Sequence, residues 1–190
     1  SVRSGWMRSP SEVWRRIARN GSEHQFVKVH DMWRRGSRDE EIFPADVTRF
    51  AVEIVRNPLS IVASKAHHDG ATLDETIEAM GTQMMPAREQ VGVPSQLPQI
   101  VGSWSDNVTS WLDQDEIPVL LLRYEDMLTD SAAALRKILE GADIPIDELR
   151  VQTATSRASF DMLRAREVAD GFAEATRPNN PFFRSGRANS

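Results

Sequence analysis

Two short apolar runs, each handed straight to a helix signal, limit this fold more than any other feature of the sequence. The first is FAVEIV, residues 50–55, which ends on Arg56 and passes to Asn57 and Pro58. Asn57 is a helix-capping residue and Pro58 suits a first helical position, so a helix is expected from there to about Asp69-Gly70. The second run is Val119 to Tyr124. Its continuous apolar character is that of a strand buried on both faces of a parallel sheet. Leu135, Ile138 and Leu139 mark a helix after it, ending at Gly141. Strands that alternate with helices define an α/β class with a mainly parallel sheet flanked by helices.

Other segments fit this frame. Pro10-Ser11-Glu12 after Ser9 reads as a capping box, opening a helix with Val13, Trp14 and Ile17 on one face. Phe26 to His30 reads as a short strand. Thr72 and Glu75 form a second capping box ahead of Leu73, Ile77 and Met80. Trp104, Val108, Trp111 and Leu112 lie on an amphipathic helix, and residues 146–169 read as mostly helical. Residues 31–49 and 81–100 are the longest irregular stretches, where specificity loops are expected.

A length of 190 residues fits one domain, 1–190. The net charge of −5 argues against a general nucleic-acid binder. There is no cysteine, hence no disulfide framework or thiolate chemistry. No run approaches membrane-spanning length, so a cytoplasmic setting with no membrane partner is the expectation. The Asn-x-Ser/Thr sequons at Asn20 and Asn107 then read as chance.

In open parallel sheets, ligands bind beyond the C-terminal strand ends. Arg56 stands at such an end and directly before a helix N-terminus, whose free N–H groups attract anions. Arginine adds a forked donor, so the joint suits a phosphate; a solvated loop arginine is the alternative. His67-His68-Asp69 suggests a metal, but neighbouring helical residues diverge by about 100° and do not readily face one ion, so no metal is expected. Glu125-Asp126 reads as a tether for the strand end through backbone N–H groups.

Taken together, FVKVHD, VRNPLSIVAS, GSWSDNVTSW, VLLLRYEDML, ASFDML and FFRSGRA occur in an order and spacing that resemble the cytosolic-type sulfotransferases, the bacterial members most nearly. The resemblance runs from residue 26 to residue 187. It implies a three-layer, P-loop-like fold and transfer of a sulfuryl group from 3′-phosphoadenosine 5′-phosphosulfate (PAPS) to a hydroxyl or amine of a small-molecule acceptor, without a metal. By the same resemblance, Arg56 and Ser64 match the pair that grips the 3′-phosphate. Arg184, Ser185 and Gly186 match a run that also touches it. Tyr124 matches an adenine contact and Phe160 the ring that stacks on adenine. His30 matches the general base and Lys28 the cation beside the transferring group. Lys28 and His30 are two apart, so a strand would project both to one face.

The sequence departs from the family pattern in places. Ser185 stands where lysine is usual, Ala158 replaces a hydroxyl residue, and Val29 replaces threonine. The glycine-rich loop that would hold the 5′-phosphosulfate has no match. The chain therefore reads as a partial sulfotransferase domain whose first βα unit and final segment are missing. A non-catalytic remnant that binds the 3′-phosphoadenosine nucleotide is the alternative. A nucleotide kinase would need a Gly-Lys-Ser/Thr loop, and none is present.

Overall fold

The computed structural model describes residues 10–21, 24–36, 39–82, 100–172 and 181–183. The elements within them run in chain order as α1 (Pro10–Asn20), β1 (Ala51–Val55), α2 (Pro58–Asp69), α3 (Leu73–Gly81), α4 (Trp104–Asp113), β2 (Val119–Arg123), α5 (Tyr124–Thr129), α6 (Ser131–Gly141), α7 (Glu148–Arg157) and α8 (Phe160–Asp170). The two strands are paired in one parallel sheet. Two compact units divide the chain, residues 1–51 with 83–119, and residues 52–82 with 120–190. The boundary falls inside both strands.

The first unit is built on aromatic packing. Ile42, Phe43, Trp111 and Ile117 are buried together, with Trp14, Val29, Trp33, Ala51 and Val119 packed around them. Phe43 is central, its ring centroid lying 5.8 Å from those of Trp14 and Trp33 and 4.9 Å from that of Trp111. The middle of the stretch read as a polar specificity loop is therefore core: Ile42, Phe43 and Pro44 are all buried. Charged ties hold its flanks. The Arg15 guanidinium meets Asp46 at 2.9 Å, and Arg35 meets Asp39 at 2.9 Å and Glu116 at 2.8 Å.

The residues expected as a strand at 26–30 form none. A strand needs a partner ladder, and among the described residues nothing pairs with this run. Val29 packs on the core while Phe26, Val27, Lys28 and His30 are exposed, so the run does not alternate as a strand would.

The second unit holds residues 52–55 of β1 and 120–123 of β2 together with α2, α3 and α5 to α8. Val62, Ala66, Leu122, Ala134, Ala142 and Val151 are its buried apolar residues. The helix boundaries follow the local signals. Asn57 Oδ1 accepts the Leu59 N–H at 2.9 Å with Pro58 behind it, and Gly70 closes α2 in the left-handed region at φ 66°. Thr72 and Glu75 form the expected reciprocal box. The Ser9 cap expected for α1 lies outside the described residues. The helical stretch expected over 146–169 is two helices, broken at Ala158 and Ser159. No helix among the described residues is long and apolar enough to cross a membrane.

One polar residue sits against the grain of β1. Glu53 is half-buried, and burial raises its carboxyl pKa from an ordinary 4.5 to about 7. The folded state thus holds a proton that the unfolded state releases. Glu53's contribution to stability is greatest below 4.5 and declines as pH rises through about 7. We expect Glu53→Gln to raise stability at pH 8 by about 1–2 kcal/mol, discounted for partial exposure, and to have little effect at pH 4.5. Urea unfolding of both forms at the two pH values checks this.

Candidate functional site

The C-terminal ends of the two strands bring the Arg56 joint together. β1 ends at Val55, and Arg56 and Asn57 follow before α2 begins at Pro58. β2 ends at Arg123, and Tyr124 opens α5. The Arg56 guanidinium carbon lies 4.6 Å from the Tyr124 ring centroid. This cation–π contact engages the face of the guanidinium, whereas its N–H donors lie along its edge. Glu125 locks the two exits together: its Oε1 accepts the Asn57 backbone N–H at 2.9 Å. That bond, first, and then an N–H of its own backbone and the charges of Arg123 and Arg56, hold the Glu125 carboxyl below its ordinary pKa. The tether expected of this acidic pair is thus made by Glu125.

Ser64 lies eight residues beyond Arg56 on α2, and its side chain is exposed. Phe160 is the first residue of α8, and its ring meets that of Phe183 edge-on at 6.2 Å. Phe183 belongs to a ring cluster with Phe172 and Phe182, and His68 of α2 meets Phe182 edge-on at 6.0 Å. Arg184, Ser185 and Gly186 lie outside the described residues. Among the described residues no group of three or more His, Cys, Asp or Glu side chains could hold a metal ion.

Lys28 and His30 lie in the first unit and are both exposed. The backbone around His30 is held by α4. Asn107 Nδ2 donates to the His30 carbonyl at 3.3 Å and to the Val101 carbonyl at 2.8 Å. Trp111 Nε1 donates to the Asp31 carbonyl at 3.1 Å, and Ser110 Oγ accepts the Trp33 N–H at 2.9 Å. Asp31 Oδ1 accepts the Ile100 N–H at 2.7 Å; burial nonetheless pushes its carboxyl pKa up. These supports escaped the sequence reading, which took Asn107 as part of a chance sequon and placed Trp111 only on the apolar stripe of an amphipathic helix. The available signal was spacing: residues 107, 110 and 111 share one face of a helix.

This frame is that of the sulfotransferases. Mouse sulfotransferase SULT7A1 complexed with PAP matches with a TM-score of 0.50 at 22% identity, over 72% of this chain and 48% of that one. Retinol dehydratase in complex with androsterone and the inactive cofactor PAP matches with a TM-score of 0.52 at 17% identity, over 75% and 41%. A second retinol dehydratase structure, with retinol and PAP, matches equally. Mouse sulfotransferase 1B1 is 29% identical over 90 residues, 45% of this chain and 30% of its own length. The sulfotransferase domain family model matches residues 51–190, and the chain belongs to that family. It spans less than half the length of these relatives.

The Glu125 tether yields a pH-dependent test. Its folded-state pKa is depressed, so its contribution is present above the ordinary value of 4.5 and is lost as pH falls through the lower folded value. Glu125→Ala should therefore lower the thermal midpoint at pH 7, and the gap to the wild type should narrow towards pH 3. Circular dichroism melts at the two pH values provide the measurement.

Proposed function

We propose that this chain is part of a PAPS-dependent sulfotransferase domain extending over residues 1–190, and that its second unit binds the 3′-phosphoadenosine nucleotide. The observation that carries the reading is the Arg56 guanidinium stacked on Tyr124 at the paired strand exits, directly before the N-terminus of α2. Such an arrangement offers a phosphate a forked donor beside the positive end of the α2 dipole. In this assignment Arg56 and Ser64 take the 3′-phosphate, with Arg184, Ser185 and Gly186 assisting. Tyr124 and Phe160 take the adenine. PAP in the solved relatives is consistent with a nucleotide of this kind.

In sulfuryl transfer, the acceptor oxygen attacks sulfur as the bond from sulfur to the 5′-phosphate oxygen breaks, and 3′-phosphoadenosine 5′-phosphate leaves. The acceptor must lose a proton, and an exposed imidazole can take it. We assign it to His30, whose backbone is pinned by Asn107. Lys28, exposed like His30, supplies positive charge where negative charge builds. The acceptor is a hydroxyl- or amine-bearing small molecule; the androsterone and retinol bound to retinol dehydratase are hydroxyl-bearing examples.

Calorimetry tests the nucleotide assignment. The chain should bind 3′-phosphoadenosine 5′-phosphate more tightly than 5′-AMP. Arg56→Ala should weaken the bisphosphate by roughly 10–100-fold, as loss of a charge-assisted hydrogen bond does, and 5′-AMP much less. Equal affinity for both nucleotides in the wild type would reject the assignment. In a form carrying the phosphosulfate loop, His30→Ala should lower turnover by roughly 10²–10⁴-fold with little change in nucleotide affinity. Nucleotide binding by that form without any transfer would favour the non-catalytic remnant instead.

A further inference from the structure

Phe160 opens α8, and Glu167 lies seven residues on, two turns along the same helix face. The Glu167 carboxylate accepts one backbone N–H on each oxygen. Phe182 donates to Oε1 at 2.5 Å and Phe183 to Oε2 at 2.9 Å. Successive backbone N–H groups converging on an anion form a concave anion-holding arrangement, and here α8 supplies the anion itself. The same two residues carry the rings that pack on Phe172, His68 and Phe160. Edge-on ring contacts tolerate sliding, because several offset geometries are close in energy. A carboxylate that takes two successive N–H groups does not, since a slip of one residue would break both bonds.

We propose that Glu167 is a positioning residue for the nucleotide: it fixes the register of Phe182 and Phe183 so that Phe183 holds the Phe160 ring in place for adenine. This rests on the assignment of Phe160 to adenine in the proposed function. Glu167 itself touches no nucleotide in this scheme. Its effect therefore falls on the base and spares the phosphates.

The test is calorimetric titration of wild-type, Glu167→Ala and Glu167→Gln chains with adenosine 3′,5′-bisphosphate and with uridine 3′,5′-bisphosphate. Displacing a stacking ring should weaken the adenine ligand about tenfold in Glu167→Ala and the uridine ligand less than about threefold. Glu167→Gln retains one acceptor and should fall between wild type and alanine. Equal losses for the two ligands would mark a merely structural residue and overturn the proposal, as would wild-type affinity in Glu167→Ala. If Glu167→Ala does not melt cooperatively, Glu167→Gln decides by the same criterion. A wild-type chain that binds neither ligand would overturn the nucleotide assignment and this role with it. Wild-type binding that is indifferent to Glu167 would overturn this role alone.

Discussion

The Glu125 carboxylate on the Asn57 backbone N–H is the constraint on which the second unit's candidate site depends. Neighbouring strands pair through their backbones, but the chain beyond their ends is unconstrained by that ladder. One hydrogen bond across the two exits fixes where α2 and α5 begin relative to each other. The Arg56–Tyr124 stack follows, because each residue sits beside one end of that bond. Asn57 serves twice, giving its backbone N–H to Glu125 and its side-chain oxygen to Leu59. A change at Asn57 would therefore loosen a helix start and a strand exit together.

The first unit solves a related problem without a ladder. The segment carrying Lys28 and His30 has no strand partner among the described residues; its position depends on side chains and on the Met32 N–H donated to the Ile100 carbonyl at 2.8 Å. Val29 anchors it to the aromatic core, and Asn107, Ser110 and Trp111 hold the backbone from residue 30 to residue 33. The histidine is thus held by its backbone while its ring stays exposed.

What the sequence disclosed was local. Asn57-Pro58 and Thr72 with Glu75 specify helix starts within four residues, so those boundaries fell where the residues said they would. The apolar runs at 51–55 and 119–123 announced the sheet. FVKVH misled because its composition is that of a strand while its pairing is a long-range matter. The turn-rich look of residues 31–49 hid Ile42, Phe43 and Pro44, too short an apolar run to show any period. The most informative contacts join residues far apart in sequence: Asn107 to His30 spans 77 positions and Glu125 to Asn57 spans 68. No local pattern encodes such pairs. The family-like order of the motifs conveyed them indirectly, by implying a frame in which those residues meet.

The uneven placement of aromatic residues makes the two units optically distinct. Four of the five tryptophans, at positions 14, 33, 104 and 111, are described and belong to the first unit, while the single tyrosine, Tyr124, belongs to the second. Trp14, Trp33 and Trp111 converge around Phe43, so tryptophan emission reports on that core. The second unit contributes α2, α3 and α5 to α8, and so dominates the far-ultraviolet dichroism. The protein thus carries its own pair of separated probes. Coincidence of the two signals during unfolding would show that the units melt as one, and divergence would show that they do not.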